Sequence, residues 1–567
     1  MRSLATFLLF AFVFETTSPC YAQWPTHGAP VCTALGNQLH PALASDGVGG
    51  AIITWTDSRG GASDVYAQRL NSAGVNQWTI DGIVVATSAG SDYYPAVIPD
   101  GAGGAIIAWQ HAIAFGRIYV QRLNAAGVPQ WAANGVAVSG ATLDDQGFPQ
   151  LLADGAGGAI ITWADYRSTL DEDVYAQRVD PAGVPQWSAN GVPVCTAIGN
   201  QRSQQLVSDG TGGVIVVWHD ERAYTGSNYD VYVQRVDASG TPQWVTDGVV
   251  LGTGSNIPTG GPMLVADGVG GAIVTWEDFR NVFVYDIYAQ RVNSLGAPQW
   301  SPTGEVVCGA ADLQFNPSIL PDGSGGAIIA WADQRAGSSR DMYVQRMNAS
   351  GVPQWTLDGV ALTASMSPTF TELPQVVSDG AGGAIVTWED SRSGSTDYDV
   401  YARRVDASGT PLWATGGVSL CSAAENQWDP RIISDGSGGA IVAWRDFRSG
   451  NWDVYAQRVG AEGSIPTGVA YKPFAAALAL TPNYPNPLAG ETAMNLVLGS
   501  DADVTAEVFD VMGRRVRAID LGRVHAGTTH LSFEGRDDHA HDLPSGVYFY
   551  RVHVGGETVT RKMVIAR

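Results

Sequence analysis

An Asp-Gly pair recurs eight times along the chain, and this repeat limits the available folds more than any other feature. The pairs begin at Asp46, Asp100, Asp154, Asp209, Asp267, Asp322, Asp379 and Asp435, 54 to 58 residues apart. A near-fixed period of that size marks a repeat architecture in which each copy is one supersecondary unit. Each copy holds a short apolar run before the turn, then Gly-Ala-Ile-Ile-x-Trp-x-Asp, then Asp-Val-Tyr-Ala-Gln-Arg, then a segment after Gln-Trp, with small variations. The third run alternates apolar with polar residues, which is the period of a half-buried strand. Asp-Gly and Ala-Gly-Val-Pro supply turns, because glycine tolerates positive φ and proline presets φ. Each copy therefore predicts four antiparallel strands, A to D, and the array predicts an all-β, eight-bladed β-propeller of four-stranded blades.

The limits of the array favour a ring over a solenoid. It opens with Gln23-Trp24-Pro25-Thr26-His27-Gly28-Ala29-Pro30-Val31-Cys32-Thr33, a strand D with no A, B or C before it. The last copy ends with Val454-Tyr455-Ala456-Gln457-Arg458-Val459 and lacks its own D. A ring closes when the first strand completes the last blade, whereas a solenoid calls for atypical capping units. The tryptophans ending strand B (Trp55, Trp109, Trp163, Trp218, Trp276, Trp331, Trp388 and Trp444) are expected between blades as core, not as a row of stacking platforms. Trp-x-Asp-x-Arg-x-Gly followed by Asp-Val-Tyr resembles the propeller repeats of TolB-type and related secreted bacterial proteins, over roughly residues 23–466. That resemblance implies a propeller and a secreted setting, and no particular activity.

Composition narrows the partners. The net charge is −23 and the only lysines are Lys472 and Lys562, which argues against nucleic acid and anionic membranes as ligands. Residues 1–22 read as a secretory signal peptide: Arg2, the apolar run Leu4 to Phe14, and Cys20-Tyr21-Ala22 as the cleavage site. That run is too short to span a bilayer, and no later stretch is apolar enough. The expected product is a secreted or surface-exposed monomer. Cys32, Cys195, Cys308 and Cys421 each lie eight residues after a repeat tryptophan, where other copies hold Ala86, Ser139, Gly252 and Thr363. One repeat position in separate units places them too far apart for a disulfide, so they read as buried small-residue slots.

After residue 464 the period stops. Residues 465–480 read as a linker and 481–567 as a small Ig-like β-sandwich of six or seven strands, with turns at Gly513, Gly527 and Gly546. Asn483-Tyr484-Pro485-Asn486-Pro487, Val508-Phe509-Asp510-Val511-Met512-Gly513-Arg514, Leu543-Pro544-Ser545-Gly546-Val547-Tyr548-Phe549-Tyr550-Arg551 and Arg561-Lys562-Met563-Val564-Ile565 resemble the type A sorting domain of the type IX secretion system. Leu488 departs from it, since the family usually has phenylalanine there. The resemblance implies the secretion machinery as a partner and passage across the outer membrane, followed by surface attachment or release. A similar Ig-like fold occurs in flagellar hook-capping proteins.

No catalytic set emerges, and neither a cofactor nor a metal site is expected. The Asp-Gly loops offer one carboxylate each, short of the six to eight oxygens calcium takes, so they read as hairpin turns. The Asp and Arg of Trp-x-Asp-x-Arg (Asp57 with Arg59, Asp165 with Arg167, Asp333 with Arg335) recur in seven copies and read as structural. The second copy reads Gln110-His111-Ala112-Ile113 instead. A sialidase Asp-box is absent, because Trp55 lies nine residues after Asp46. His539-Ala540-His541 falls in a predicted hairpin loop. Positions that differ among copies carry any specificity: the residue after each strand-B tryptophan and the aromatics of the B–C loops. B–C and D–A loops share one face of a four-stranded meander, which makes that face the candidate binding surface. Its candidate residues are Gln110, Phe115, His219, Tyr224, Glu277, Tyr285, Glu389, Tyr398, Arg445 and Trp452. The reading is a non-enzymatic binding or adhesion module for a glycan, peptide or protein. A secreted polysaccharide hydrolase, with Glu277 and Glu389 as a carboxylate pair, and a structural surface-layer component are the alternatives.

Overall fold

The computed structural model describes residues 24–465 and 479–566, except 88, 114, 141–144, 169–170, 224–227, 257–259, 282–283, 338, 364–370, 395–396, 481–486, 489, 491, 499–501, 512, 525–526, 540 and 555–556. The leader expected at 1–22 and most of the linker expected at 465–480 lie outside the described residues. The chain divides into one unit spanning Met1–Val469 and another spanning Ala470–Arg567.

Among the described residues, the first unit holds eight four-stranded antiparallel sheets. In sheet 1 the strands run A to D as Gln38–Ser45, Ala51–Asp57, Asp64–Leu70 and Ile83–Val84. In sheet 8, Ala29–Cys32 pairs with Asp453–Val459, followed by Ala440–Asp446 and Gln427–Ser434. The A strands touch one another from sheet to sheet all the way round, and Gln38–Ser45 of sheet 1 meets Gln427–Ser434 of sheet 8. The ring is therefore closed, with A strands innermost and the N-terminal strand as the outer strand of the last sheet.

Strand B is buried along its whole length in Ala51–Asp57, because it packs against a neighbouring sheet on each face. Trp55 joins Ile53 and Leu70 of its own sheet to Trp24, Val31, Ile441 and Val454 of sheet 8. The indole fits tightly: Gly82 has φ 85°, and a Cβ there would stand 2.5 Å from the Trp55 ring.

The Asp-Gly turn is a hairpin and also a clasp between sheets. Asp46 Oδ1 accepts the N–H groups of Val48 and Gly50 at 2.9 and 2.7 Å, and Oδ2 pairs with Arg69 at 3.0 Å. The equivalent pair forms in every sheet, ending with Asp435 and Arg458. Arg69 then donates to the Ala125 carbonyl of sheet 2 at 3.2 Å, and Trp78 Nε1 donates to the same oxygen at 3.1 Å. Across the closure, Arg458 and Trp24 Nε1 both donate to the Ser72 carbonyl, at 3.5 and 3.1 Å.

The Trp-x-Asp-x-Arg group is a second internal knot. Trp55 Nε1 donates to Asp57 at 2.8 Å, and Arg59 grips both Asp57 oxygens at 2.9 and 2.5 Å while lying 4.0 Å over the Tyr66 ring. Arg59 also donates to the Asp81 carbonyl at 2.8 Å and to Cys32 Sγ at 3.0 Å. Cys32, Cys195, Cys308 and Cys421 are free and buried, consistent with small-residue slots beside this knot. Sheet 2 rebuilds the knot with different residues. His111 replaces the strand-B aspartate, and Asp92 of strand A supplies the carboxylate. It meets His111 Nδ1 at 2.6 Å and Trp109 Nε1 at 3.1 Å. Burial pushes the Asp92 carboxyl up, against the pull of His111.

The second unit is a sandwich. One sheet holds Ala479–Leu480, Thr492–Leu498 and Gly527–Phe533; the other holds Arg515–Val524, Ala502–Asp510, Gly546–Val554 and Glu557–Ile565. Leu496, Val504, Val552 and Met563 centre its core. A cavity of about 250 Å³ lined by Met494, Ile519, Leu531 and Phe533 is apolar space within that core. Leu488 is fully buried, and its N–H donates to the Val564 carbonyl at 2.8 Å. His539 and His541 are exposed, with ring centroids 6.1 Å apart.

Candidate functional site

The inner strands carry a feature that alternating hydrophobicity does not announce. In seven sheets the A–B register slips near the start of strand A, as between Leu39 and Ala42. The residue in each bulge is left-handed: His40 (φ 53°), Tyr94 (51°), Phe148 (53°), Ser203 (56°), Asn316 (51°), Leu373 (49°) and Asp429 (55°). Each lies six residues before its Asp-Gly pair; Gly261 has that spacing in sheet 5, where strand A begins at Met263, the register does not slip and the glycine is not left-handed. A left-handed conformation costs a side-chain-bearing residue roughly 1–2 kcal/mol, yet none of these seven residues is glycine.

Because A strands surround the axis, these eight positions encircle the opening of the ring. Neighbours touch. The His40 and Tyr94 rings are 4.7 Å apart, Tyr94 and Phe148 4.9 Å, and a Cβ on Gly261 would lie 2.8 Å from Ser203 Cβ. The residue preceding each bulge pairs with the one after the strand-B tryptophan, as Leu39 with Thr56. The opening therefore lies at the end where strand B runs into the B–C loop, the face singled out from loop variability.

The variable positions after the tryptophans sit mostly behind this ring. Glu277 is buried and accepts the Asn316 N–H at 2.6 Å; Glu389 is buried and accepts the Asp429 N–H at 2.6 Å. Each carboxylate thus holds the bulge of the next sheet, and the two belong to sheets 5 and 7. His219 is buried beside Tyr229, 5.7 Å between centroids, and burial lowers its pKa to about 3, so it is neutral at pH 7. Gln110 fills the space over Gly116 and Gly147, where a Cβ would meet its amide at 2.6 and 2.7 Å. Tyr285 packs between Phe279 and Phe315, at 4.8 and 5.8 Å. Phe115 is exposed, and Tyr224 lies outside the described residues.

Arg445, Trp452 and Tyr398 come together around Trp428, a strand-A residue that loop variability did not suggest. Trp452 stacks on Trp428 at 5.0 Å, Tyr398 meets Trp428 edge-on at 6.2 Å, and Arg445 lies 4.6 Å over Trp452 while pairing with Asp429 at 2.7 Å. A polar group joins sheets 3 and 4: Arg202 meets Glu172 at 3.1 Å and Glu221 at 3.8 Å, and Tyr166 donates to Glu172 at 2.8 Å. Burial and the Glu172 carboxylate push Tyr166 up to about 12. One arginine thus faces two carboxylates, one on each side of the sheet boundary. Among the described residues no three His, Cys, Asp or Glu side chains gather as a metal site, and no helix is long and apolar enough to cross a membrane.

The molecule is thus a propeller-type ring of eight sheets joined in one chain to an Ig-like sandwich. The FlgD Ig-like domain model matches residues 484–557, so the C-terminal unit carries that domain. No curated protein matches the chain. Among solved structures, a puromycin hydrolase is similar at 14% identity and TM-score 0.42, over 75% of this chain and 61% of that one. This chain therefore spans about three fifths of the hydrolase. An ulvan lyase is similar at 13% identity and TM-score 0.40, over 78% of this chain and 96% of the lyase. PorZ, an essential surface component of the type IX secretion system of Porphyromonas gingivalis, is similar at 12% identity and TM-score 0.26, over 95% and 71%. These similarities assign no activity.

Proposed function

We propose that the protein is a secreted or cell-surface propeller that binds a ligand at the ring opening without turning it over. One observation carries this reading. Eight equivalent positions around the opening hold eight different residues, seven of them left-handed without being glycine. Strained residues held by a rigid frame concentrate at binding sites. A glycosidase needs two carboxyl groups facing one space at about 5–9.5 Å. Glu277 and Glu389 instead each hold a backbone N–H of a different sheet with one oxygen, at Asn316 and Asp429. Immobilised full-length protein exposed to panels of polysaccharides, peptides and proteins is expected to retain a ligand saturably and release it chemically unchanged. Appearance of cleaved product would overturn the non-enzymatic reading.

The same proposal assigns the C-terminal domain to sorting through the type IX secretion machinery. The sandwich follows a ring whose sequence begins with a signal-like segment, and its motifs resemble the type A sorting domain. Removing residues 481–567 in a host with this machinery is expected to trap the propeller in the periplasm. Unchanged appearance at the cell surface or in the medium would rule sorting out.

A further inference from the structure

We infer that the ring opening accepts a neutral oligosaccharide, seated on an arc of aromatic rings along one side; this rests on the ligand-binding reading above. The eight positions of the opening are unequal. Phe148, Tyr94 and His40 stand in three successive sheets with centroids 4.9 and 4.7 Å apart, and Tyr94 and Phe148 are 38% and 51% exposed. In the adjoining sheet 8, Trp428 and Trp452 stack at 5.0 Å. The Trp452 carbonyl accepts the Gln38 N–H at 2.6 Å, which seats that pair against the sheet bearing His40. The opposite side holds Ser203, Gly261, Asn316 and Leu373, which bring no ring.

Two observations separate this arc from ordinary packing. Large rings left partly in water in a continuous row are the kind of surface that soluble proteins reserve for ligands. The arc is also held against strain, because Tyr94 and Phe148 adopt φ of 51° and 53°. Glycine takes this left-handed conformation without the steric cost a side chain brings. A tyrosine or phenylalanine kept there contributes its side chain and adds nothing to the bulge.

Charge and hydrogen bonding select the ligand. Arg445 beside the arc is neutralised by Asp429 at 2.7 Å. Burial lowers the His40 pKa from 6.5, so its imidazole is uncharged at pH 7. With a chain of net charge −23, an anionic polymer is repelled at long range and meets no unanswered charge at these groups. A pyranose offers an apolar C–H face to the rings and hydroxyls at its rim, which suit acceptors such as the Asp429 carboxylate.

Titration of the full chain with cellohexaose, laminarihexaose, xylohexaose and mannohexaose, with alginate, heparin and a proline-rich peptide alongside, tests this. At least one neutral hexaose is expected to bind. Tyr94→Gly or Phe148→Gly should weaken it at least about tenfold while the melting temperature holds or rises. Leu295→Ala, at an exposed turn outside the opening, should leave the affinity within about threefold. Binding confined to alginate, heparin or the peptide, and lost in the same variants, overturns the sugar assignment and leaves the ligand-binding reading standing. Variants that melt earlier yet bind normally show the arc to be packing and overturn the platform. Binding by none of the probes overturns both readings.

Discussion

Deleting residues 24–33 is expected to unfold the whole ring and not merely to fray one sheet. The segment supplies the outer strand of sheet 8, and Trp24, Ala29, Val31 and Cys32 are all buried. Their loss removes apolar burial of roughly 5 kcal/mol or more, comparable to the entire stability of many domains. The damage spreads by way of hydrogen bonds that span the closure. Arg448 loses the His27 carbonyl at 2.9 Å, buried Gln457 loses the Pro25 carbonyl at 2.7 Å, and Ser72 loses its partner Trp24. Strand Asp453–Val459 becomes an open edge, which invites intermolecular pairing. The expected readout is a melting temperature lower by at least about 10 °C, with higher oligomers on size exclusion. A truncated protein that melts with the intact one and stays monomeric would show that the ring does not depend on this strand.

The second large effect is a stability that falls as pH rises from about 4 to about 7. In seven sheets the strand-B aspartate faces another on strand C: Asp57 and Asp64, Asp165 and Asp173, Asp220 and Asp230, Asp278 and Asp286, Asp333 and Asp341, Asp390 and Asp399, Asp446 and Asp453. One arginine answers the first member. The second, half-buried at Asp64 and buried at Asp173, Asp286, Asp341 and Asp453, lies near a like charge with no cation of its own among the described residues. Neutral donors such as Asn281 for Asp286 and Thr363 for Asp341 meet it instead. Burial first, and the neighbouring carboxylates next, raise Asp173 to about 7. Burial likewise raises Asp453 to about 6 and pushes Asp64, Asp286 and Asp341 upward. In an unfolded chain these groups titrate near 3.9. Between that value and their folded values the native state holds more protons than the unfolded one, so raising the pH costs stability. The melting temperature is expected to be higher at pH 5.5 than at pH 8 by about 5 °C or more. Asp173→Asn should raise the pH 8 value and flatten the slope. A melting temperature that climbs steadily from pH 5.5 to 8 would contradict the facing-carboxylate account.

Which parts were legible in the sequence follows from how local their causes are. The Asp-Gly spacing predicted repeated four-stranded units, because turn residues and strand periodicity recur in order. The complementary ends predicted closure. The structure then gave the Asp-Gly carboxylate a partner 23 residues on, Arg69 for Asp46, which no single strand pattern reveals. The swap in sheet 2 was half visible: Gln110-His111 broke the motif, but its compensation at Asp92 depends on the A–B register. At the opening, comparison of the copies pointed to residues after each tryptophan. Several of those turned out to be buried supports, as Glu277 and Glu389 are. The bulge residues had a signal, a variable position six before each Asp-Gly, but the left-handed backbone that turns it toward the axis cannot be read from an apolar run.

By itself, then, the sequence determined the units, their number of copies and the residues that pack between them. Those depend on short-range pattern and on burial that every copy repeats. Only the tertiary structure decided what the opening is made of. It closes the ring, brings positions some 54 to 58 residues apart in the chain into contact, and lines up Phe148, Tyr94 and His40 through a strained bulge that three separate sheets share.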